Sequence, residues 1–298
     1  MESEKKTNSV PSLKIEGHSG CKLEILDYEN SYNVKKHSGS ISYNERLKQQ
    51  MFKQQVFHKK SSKLNHFLTA EIINEGYDEI DGFYWFSMRY VSGDNAIEYF
   101  SKVDVNKLRQ ISDNYINYFK KLINESKILN APTAPIFDKI NELKQKFKKN
   151  NHLTKNFGEE LIGYLIKAIP SERIYIGNCH GDFSLTNQLF TKDSIFLLDF
   201  LDSFLDSPII DIVKLRQDSK LGRIFQLDTK LKRYKYARAD LSIAFLDDII
   251  KEFIDSDKIL SAWYPYLQVL NLARIIPYTE SKKELAFLEK KILKIIKI

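Results

Sequence analysis

Cysteine, glycine and proline are all scarce in this chain. Cys21 and Cys179 are the two cysteines among 298 residues, which excludes a disulfide framework and any four-cysteine zinc centre. Eleven glycines and seven prolines are too few for a collagen-like or low-complexity protein. Long apolar runs are missing too. The most apolar stretch, residues 195–212, is interrupted by Asp199, Asp202, Asp206 and Asp211, so no membrane span is expected. The first eleven residues are polar and charged and lack the apolar centre of a signal peptide. The expectation is a soluble, cytoplasmic protein.

What is present is ordinary globular material. Apolar residues at 43% and charged residues at 29% allow a sizeable core and exclude a disordered chain. The length suits one large domain or two ordinary ones. Lys and Arg number 46 against 39 Asp and Glu, a net charge of +7. That excess permits an anionic ligand without calling for nucleic acid, and none is expected as a partner. The first 65 residues hold 12 of the cations against 7 acids, so most of the excess sits at the N-terminal end.

The pattern changes once, near residue 100. Before it the signals are short and strand-like: Leu13-Lys-Ile15, Leu23-Glu-Ile25 and Tyr32-Asn-Val34 alternate apolar with polar residues. Glu16-Gly-His-Ser-Gly-Cys21 reads as a turn between the first two. Ser42-Tyr-Asn-Glu45 has the form of a capping box opening a helix to about His58. Glu71-Ile-Ile and residues 83–91 read as further strands, stopped at Ser92-Gly93-Asp94. Beyond residue 100 the period becomes helical over 105–127, 136–149, 156–169, 240–255, 259–276 and 281–298. Short strands at 174–176 and 194–200 interrupt that series.

The chemistry is concentrated in Cys179-His-Gly-Asp-Phe-Ser-Leu-Thr-Asn187, between two of those strands. Its skeleton is His180-x-Asp182-x4-Asn187, and twelve residues after the asparagine comes Leu198-Asp199-Phe200. Two carboxylates and an amide on neighbouring strand-loop elements supply hard oxygen ligands of the kind Mg²⁺ takes. One of the acids can stay clear of the metal and receive a proton from an alcohol. Those are the parts for phosphoryl transfer, in which the protein chiefly positions reactants and neutralises charge.

The segment resembles the catalytic loop of the aminoglycoside phosphotransferase and choline kinase family. His180-Gly181-Asp182, then Leu198-Asp199-Phe200, then Asp206-Ser-Pro-Ile-Ile-Asp211-Ile212 stand in the family's order and near its spacing. The resemblance implies an α+β, protein-kinase-like two-lobed fold, with a small antiparallel β-sheet N-lobe over residues 1–92 and a larger, mostly helical C-lobe over 93–298. It implies an ATP-dependent kinase, with GTP as the alternative nucleotide, acting with Mg²⁺ on a hydroxyl of a small molecule. Sugars, amino alcohols and aminoglycoside-like compounds all remain open as acceptors. Asp182 is then the catalytic base, and Asn187 and Asp199 the metal ligands. His180 holds loop backbone, and Asp211 accepts backbone amides.

For the nucleotide, the resemblance points to Gly17, Ser19 and Gly20 of the glycine-bearing turn, to Lys35 on the next strand, and to Met88 and Tyr90 of a hinge-like Met88-Arg-Tyr-Val-Ser-Gly93. Family spacing favours Lys35 over Lys36, which faces the other side of the strand. The family's Arg-Leu-x-x-Glu reads Arg46-Leu47-Lys48-Gln49-Gln50 here, so a glutamine replaces the usual acidic partner of the lysine, with Glu45 as the other candidate.

Blander expectations stand beside these. Asp202 and Asp206 read as solvated loop acids, Trp263-Tyr-Pro-Tyr266 as core, and the final helix as a docked amphipathic helix with a basic outer face. The segment after Asp199 lacks an Asp-Phe-Gly and an Ala-Pro-Glu, which argues against a protein kinase. A nucleotide-binding pseudokinase or scaffold is the main alternative. A metallohydrolase is poorly supplied, because the six histidines show no ligand-like clustering and none follows His180.

Overall fold

The computed structural model describes residues 15–16, 21–28, 31–61, 66–227, 233–279 and 281–296. In chain order its elements begin with β1 (Ile15–Glu16), β2 (Cys21–Tyr28), β3 (Ser31–Ser38), α1 (Asn44–Ser61), β4 (Phe67–Thr69), β5 (Ile72–Tyr77) and β6 (Tyr84–Arg89). Then follow β7 (Asp94–Asn95), α2 (Ala96–Phe100), α3 (Val105–Asn124), β8 (Lys127–Leu129), α4 (Thr133–Phe147), α5 (Lys155–Lys167) and β9 (Ile174–Ile176). The remainder is β10 (Gln188–Phe190), β11 (Ile195–Leu197), α6 (Pro208–Ser219), α7 (Ile224–Leu227), α8 (Arg233–Asp255), α9 (Lys258–Ala273) and α10 (Lys282–Ile296).

The chain divides into two compact units. The first comprises residues up to Gly93 together with Leu189–Asp202, and the second Asp94–Gln188 with Ser203–Ile298. The segment of β11 and the Leu198-Asp199-Phe200 that follows it therefore packs within the first unit, although it follows the loop of the second in sequence.

In the first unit an antiparallel sheet runs in the order β1-β2-β3-β6-β5. Helix α1 lies on it and turns Leu47, Gln50, Met51 and Gln54 inward, positions spaced for one helical face. The core gathers Cys21, Leu47, Met51, Ala70, Tyr84, Phe86 and Met88. The two glutamines on that face are satisfied locally. Gln54 donates to the Ala70 carbonyl at 2.9 Å, and Gln50 donates to the Tyr43 hydroxyl at 3.2 Å. The expected capping box at Ser42 does not form. Residues Ile41–Tyr43 make a 3₁₀ turn, and Glu45 instead accepts from Gln49 one turn on. Asn44 opens α1, taking the Tyr84 amide at 2.9 Å and giving to the Gly82 carbonyl at 2.9 Å, which ties the helix to the β6 entry.

The Leu189–Asp202 segment is bound into this unit by pairing. β11 runs parallel to β4, with Ile195, Phe196 and Leu197 opposite Phe67, Leu68 and Thr69. Phe200 packs on Phe57 of α1 with ring centroids 5.1 Å apart, and Lys53 of α1 donates to the Leu201 carbonyl at 2.8 Å. Gly93 backs onto this segment; a Cβ there would lie 3.0 Å from the Phe190 carbonyl oxygen.

The second unit is helical around α6. This helix was not anticipated from its sequence, and it is buried on nearly every side, as a helix enclosed by others must be. It packs against α3, α8 and α9. Its polar groups are accordingly paired. Arg216 makes a two-pronged contact with Asp247 of α8, at 2.9 and 2.8 Å, and Gln217 accepts from Asn271 of α9 at 2.8 Å. Trp263, Tyr264 and Tyr266 are buried, and α10 docks on α9 through Leu285, Leu288 and Ile292.

Candidate functional site

The loop between β9 and β10 belongs to the second unit and is held from below by α6. Asp211, one turn into that helix, accepts the His180 amide at 2.6 Å and the Gly181 amide at 2.8 Å. Gly181 has φ +88°, a left-handed conformation that costs a side-chain-bearing residue energy, so the glycine is what lets the chain reverse between His180 and Asp182. His180 is fully buried, stands edge-on to Phe183, and accepts the Asp182 amide at its Nδ1, 3.2 Å away. Phe183 stacks on Tyr118 of α3 with centroids 4.9 Å apart, which anchors the loop's apolar side.

These contacts leave Asp182 partly exposed, at 24% of its side chain, with both carboxylate oxygens engaged. Oδ1 faces the Lys214 ammonium at 3.0 Å, and Oδ2 accepts from the Asn187 amide at 3.0 Å. The same Asn187 nitrogen also donates to the Asp182 carbonyl at 3.0 Å. Burial by itself would raise the Asp182 carboxyl. The Lys214 charge and hydrogen bond, helped by His180 and Asn187, outweigh burial and hold it below the usual carboxylate range. The loop ends on Asp218, also of α6, which accepts the Leu185 amide at 2.8 Å. Burial dominates there and pushes its carboxyl up to about 7.

The first unit carries a separate constellation. Asp199 follows β11 with φ +56°, a left-handed conformation that costs a non-glycine residue roughly 1–3 kcal/mol. Its carboxylate meets the Lys36 ammonium at 2.8 Å. Lys36 is 3% exposed and also reaches the Gln50 side-chain oxygen at 3.5 Å. Burial opposes its charge, but Asp199 chiefly, with Cys21 and Tyr43, more than offsets that, and the ammonium stays protonated above the usual lysine range.

The nucleotide-side expectations are redistributed by this geometry. The structure brings Lys36, not Lys35, to Asp199. Lys35 lies on the opposite face of β3, its ammonium 4.3 Å from the centre of the Trp85 ring. The physical reason is strand alternation: Lys36 shares a face with Val34, and that face packs on the core. Gln50 is the α1 residue that meets the lysine, whereas Glu45 is exposed and bonded to Gln49. Met88 is buried in the core and pairs with Val34 across the sheet, whereas Tyr90 is exposed. Gly17, Ser19 and Gly20 lie outside the described residues.

Sequence reasoning missed Lys214, and it did not assign Asp218 to the loop backbone. The signal for both is a spacing: Asp211, Lys214 and Asp218 stand at i, i+3 and i+7, one stripe of α6. Of the four acids between residues 201 and 218, two are internal and two, Asp202 and Asp206, are exposed. Asp211 and Asp218 are buried against loop amides, and Asp202 lies 3.5 Å from Arg46. For a divalent cation, the donor chemistry fits. Asn187, in the second unit, carries an amide oxygen besides the nitrogen it gives to Asp182, and Asp199, in the first, carries a carboxylate; each is a hard oxygen donor. Among the described residues, no three His, Cys, Asp or Glu side chains gather into a group that could hold a metal ion, and no helix is long and apolar enough to cross a membrane.

No family model matches the chain, and no curated protein matches its sequence. Solved structures do. A thermostable mutant of aminoglycoside phosphotransferase APH(4)-Ia matches with a TM-score of 0.62 at 10% identity, over 97% of this chain and 94% of its own. APH(2")-IIa in complex with gentamicin matches at 0.58 and 14% identity, over 96% and 90%. The GDP complex of aminoglycoside 2'-phosphotransferase-IIIa matches at 0.58 and 13% identity, over 94% and 92%. At such identities the likeness is one of fold. The chain has the protein-kinase-like fold of the aminoglycoside phosphotransferases, with an N-terminal antiparallel sheet followed by a mostly helical region.

Proposed function

We propose that this protein is a phosphotransferase that moves the γ-phosphate of ATP, or of GTP, to a hydroxyl of a small molecule. The observation that carries this is the state of Asp182. It is a partly exposed, ionised carboxylate on a loop whose backbone is fixed by Asp211 and His180, and its two oxygens are oriented by Lys214 and Asn187. A carboxylate has lone pairs to spare beyond two hydrogen bonds, so an alcohol can still donate to it. As the acceptor oxygen bonds to the γ-phosphorus, the bond from phosphorus to the bridging oxygen breaks. The nucleoside diphosphate departs, and the hydroxyl proton passes to Asp182. With a loose transition state an unshifted or low-pKa carboxylate suffices, because the proton moves late.

On this reading Lys36 takes the phosphate-binding role first given to Lys35, since it is the buried cation paired with Asp199. Asn187 and Asp199 would hold Mg²⁺, which supplies charge neutralisation for the phosphates when bound. Tyr90, Gly17, Ser19 and Gly20 remain the candidates for contact with the rest of the nucleotide. The structural relatives support the substrate classes: one is in a ternary complex with ADP and hygromycin B, another with gentamicin, another with GDP.

The test is nucleotide consumption with Mg²⁺ and either ATP or GTP, over a panel of amino alcohols, sugars, nucleosides and aminoglycosides including hygromycin B and gentamicin. Transfer to one class is expected. Tight nucleotide binding without transfer to any acceptor or to water would favour the scaffold alternative.

A further inference from the structure

We propose that Lys214 is a positioning residue for phosphoryl transfer, acting through Asp182; this rests on the phosphotransferase reading. The inference comes from what the α6 stripe binds. Asp211 and Asp218 both accept backbone amides of the loop, at His180 and Gly181 and at Leu185. Such bonds fix the course of the chain whatever its side chains are. Lys214, between them, bonds a side chain instead, and that side chain is the proton acceptor.

A purely structural account of the lysine is weak on energetic grounds. Lysine gives up much rotamer entropy when ordered, and its strongly hydrated ammonium resists leaving water. Here it is 15% exposed, on a helix that is otherwise enclosed, and its ion-pair partner is Asp182. The loop backbone is already secured by Asp211, His180 and Asp218. What Lys214 adds is specific to the carboxylate. It holds Oδ1 while Asn187 holds Oδ2, so both carboxylate oxygens are oriented from the side chains around them. It also makes the base half of a neutral pair, so that an anionic phosphate and an acidic side chain can attend the same hydroxyl with less repulsion. Asp211 and Asp218 share the stripe with this lysine, but both are engaged with loop amides, and burial disfavours the charged form of Asp218.

The experiment compares wild type, Lys214→Met, Lys214→Arg, Asp182→Asn and the Lys214→Met/Asp182→Asn double variant in the full chain. Turnover is read as phosphate release from Mg-ATP to water, and as transfer wherever the screen supplies an acceptor. Nucleotide affinity and thermal midpoint are measured alongside. The expectation is a fall in kcat of about 10-fold or more in Lys214→Met, at near-constant KM for ATP and near-constant midpoint. Lys214→Arg should recover most of the loss. The double variant should be no slower than Asp182→Asn alone, because the lysine works through the aspartate. Wild-type kcat in Lys214→Met overturns the proposal. So does a loss that appears only in KM, or an arginine variant as slow as the methionine one. If Lys214→Met does not fold, Lys214→Gln replaces it under the same criteria. Turnover equal in wild type and Asp182→Asn overturns the phosphotransferase reading itself, and this inference with it.

Discussion

The ammonium of Lys36 sits 2.8 Å from the Asp199 carboxylate, although 163 positions separate them in the chain. One position earlier, Lys35 lies against Trp85 on the other face of the same strand. Two adjacent lysines therefore have unequal roles. Lys36→Ala should weaken nucleotide binding about 10-fold or more and lower turnover, whereas Lys35→Ala should change either by less than about 2-fold. Titration of both variants with ATP and Mg²⁺ checks this, and equal losses in the two would contradict it.

Asp182→Asn preserves shape, and its single amide oxygen can keep one of the two contacts, to Lys214 or to Asn187, but it removes the proton acceptor. Turnover should fall by about 100-fold or more, with nucleotide affinity retained. Isothermal titration beside a transfer assay separates these quantities. A parallel loss of affinity would mean that the substitution had disturbed the loop as a whole.

Asp218 makes stability depend on pH. Its folded-state pKa, about 7, lies above that of an unfolded aspartate near 4, so the folded protein binds the proton more tightly. The stabilisation is fully present below about pH 4 and is lost as pH rises towards 7, on the order of 4 kcal/mol in all. Asp218→Asn mimics the protonated form and should flatten this part of the profile. Denaturant unfolding across that window reads the difference, and an unchanged slope would place the proton elsewhere.

Arg216 and Asp247 join α6 to α8 through a two-pronged, largely buried pair. Removing one partner strands the other charge. Asp247→Ala should cost roughly 3–5 kcal/mol, enough to lower the thermal midpoint by several degrees. Replacing both partners by apolar residues should cost less than that single change.

Gly181 is required by its backbone conformation. Gly181→Ala should strain the loop by about 1–2 kcal/mol and reduce turnover by more than it reduces stability, because His180 and Asp182 flank the strained position. Comparing kcat with the unfolding midpoint tests the proportion.

Much of this was legible in the chain because it is local. The change from alternating to helical period near residue 100 separates strand from helix, since side-chain direction follows each period directly. The run His180-Gly181-Asp182 to Asn187 is contiguous, so its residues had to lie on one loop, and the glycine at a positive φ is the kind of position a reader can suspect. Capping at Ser42 was misjudged because Tyr84 and Gly82, remote in sequence, bond Asn44 and move the helix start.

By itself, then, the sequence determined the periodicity of the elements, the identity and order of the catalytic-type residues, and the fact that Lys35 and Lys36 must face opposite ways. Tertiary structure alone decided which of those faces is the core. The decision depends on α1 covering one side of β3, and on β11 pairing with β4 from more than a hundred residues away. It also decided that Lys214 meets Asp182 and that Asp211 and Asp218 turn inward. A helical stripe of charged residues has the same local spacing whether it faces water or a loop, and only the packing of α3, α8 and α9 around α6 removes the water.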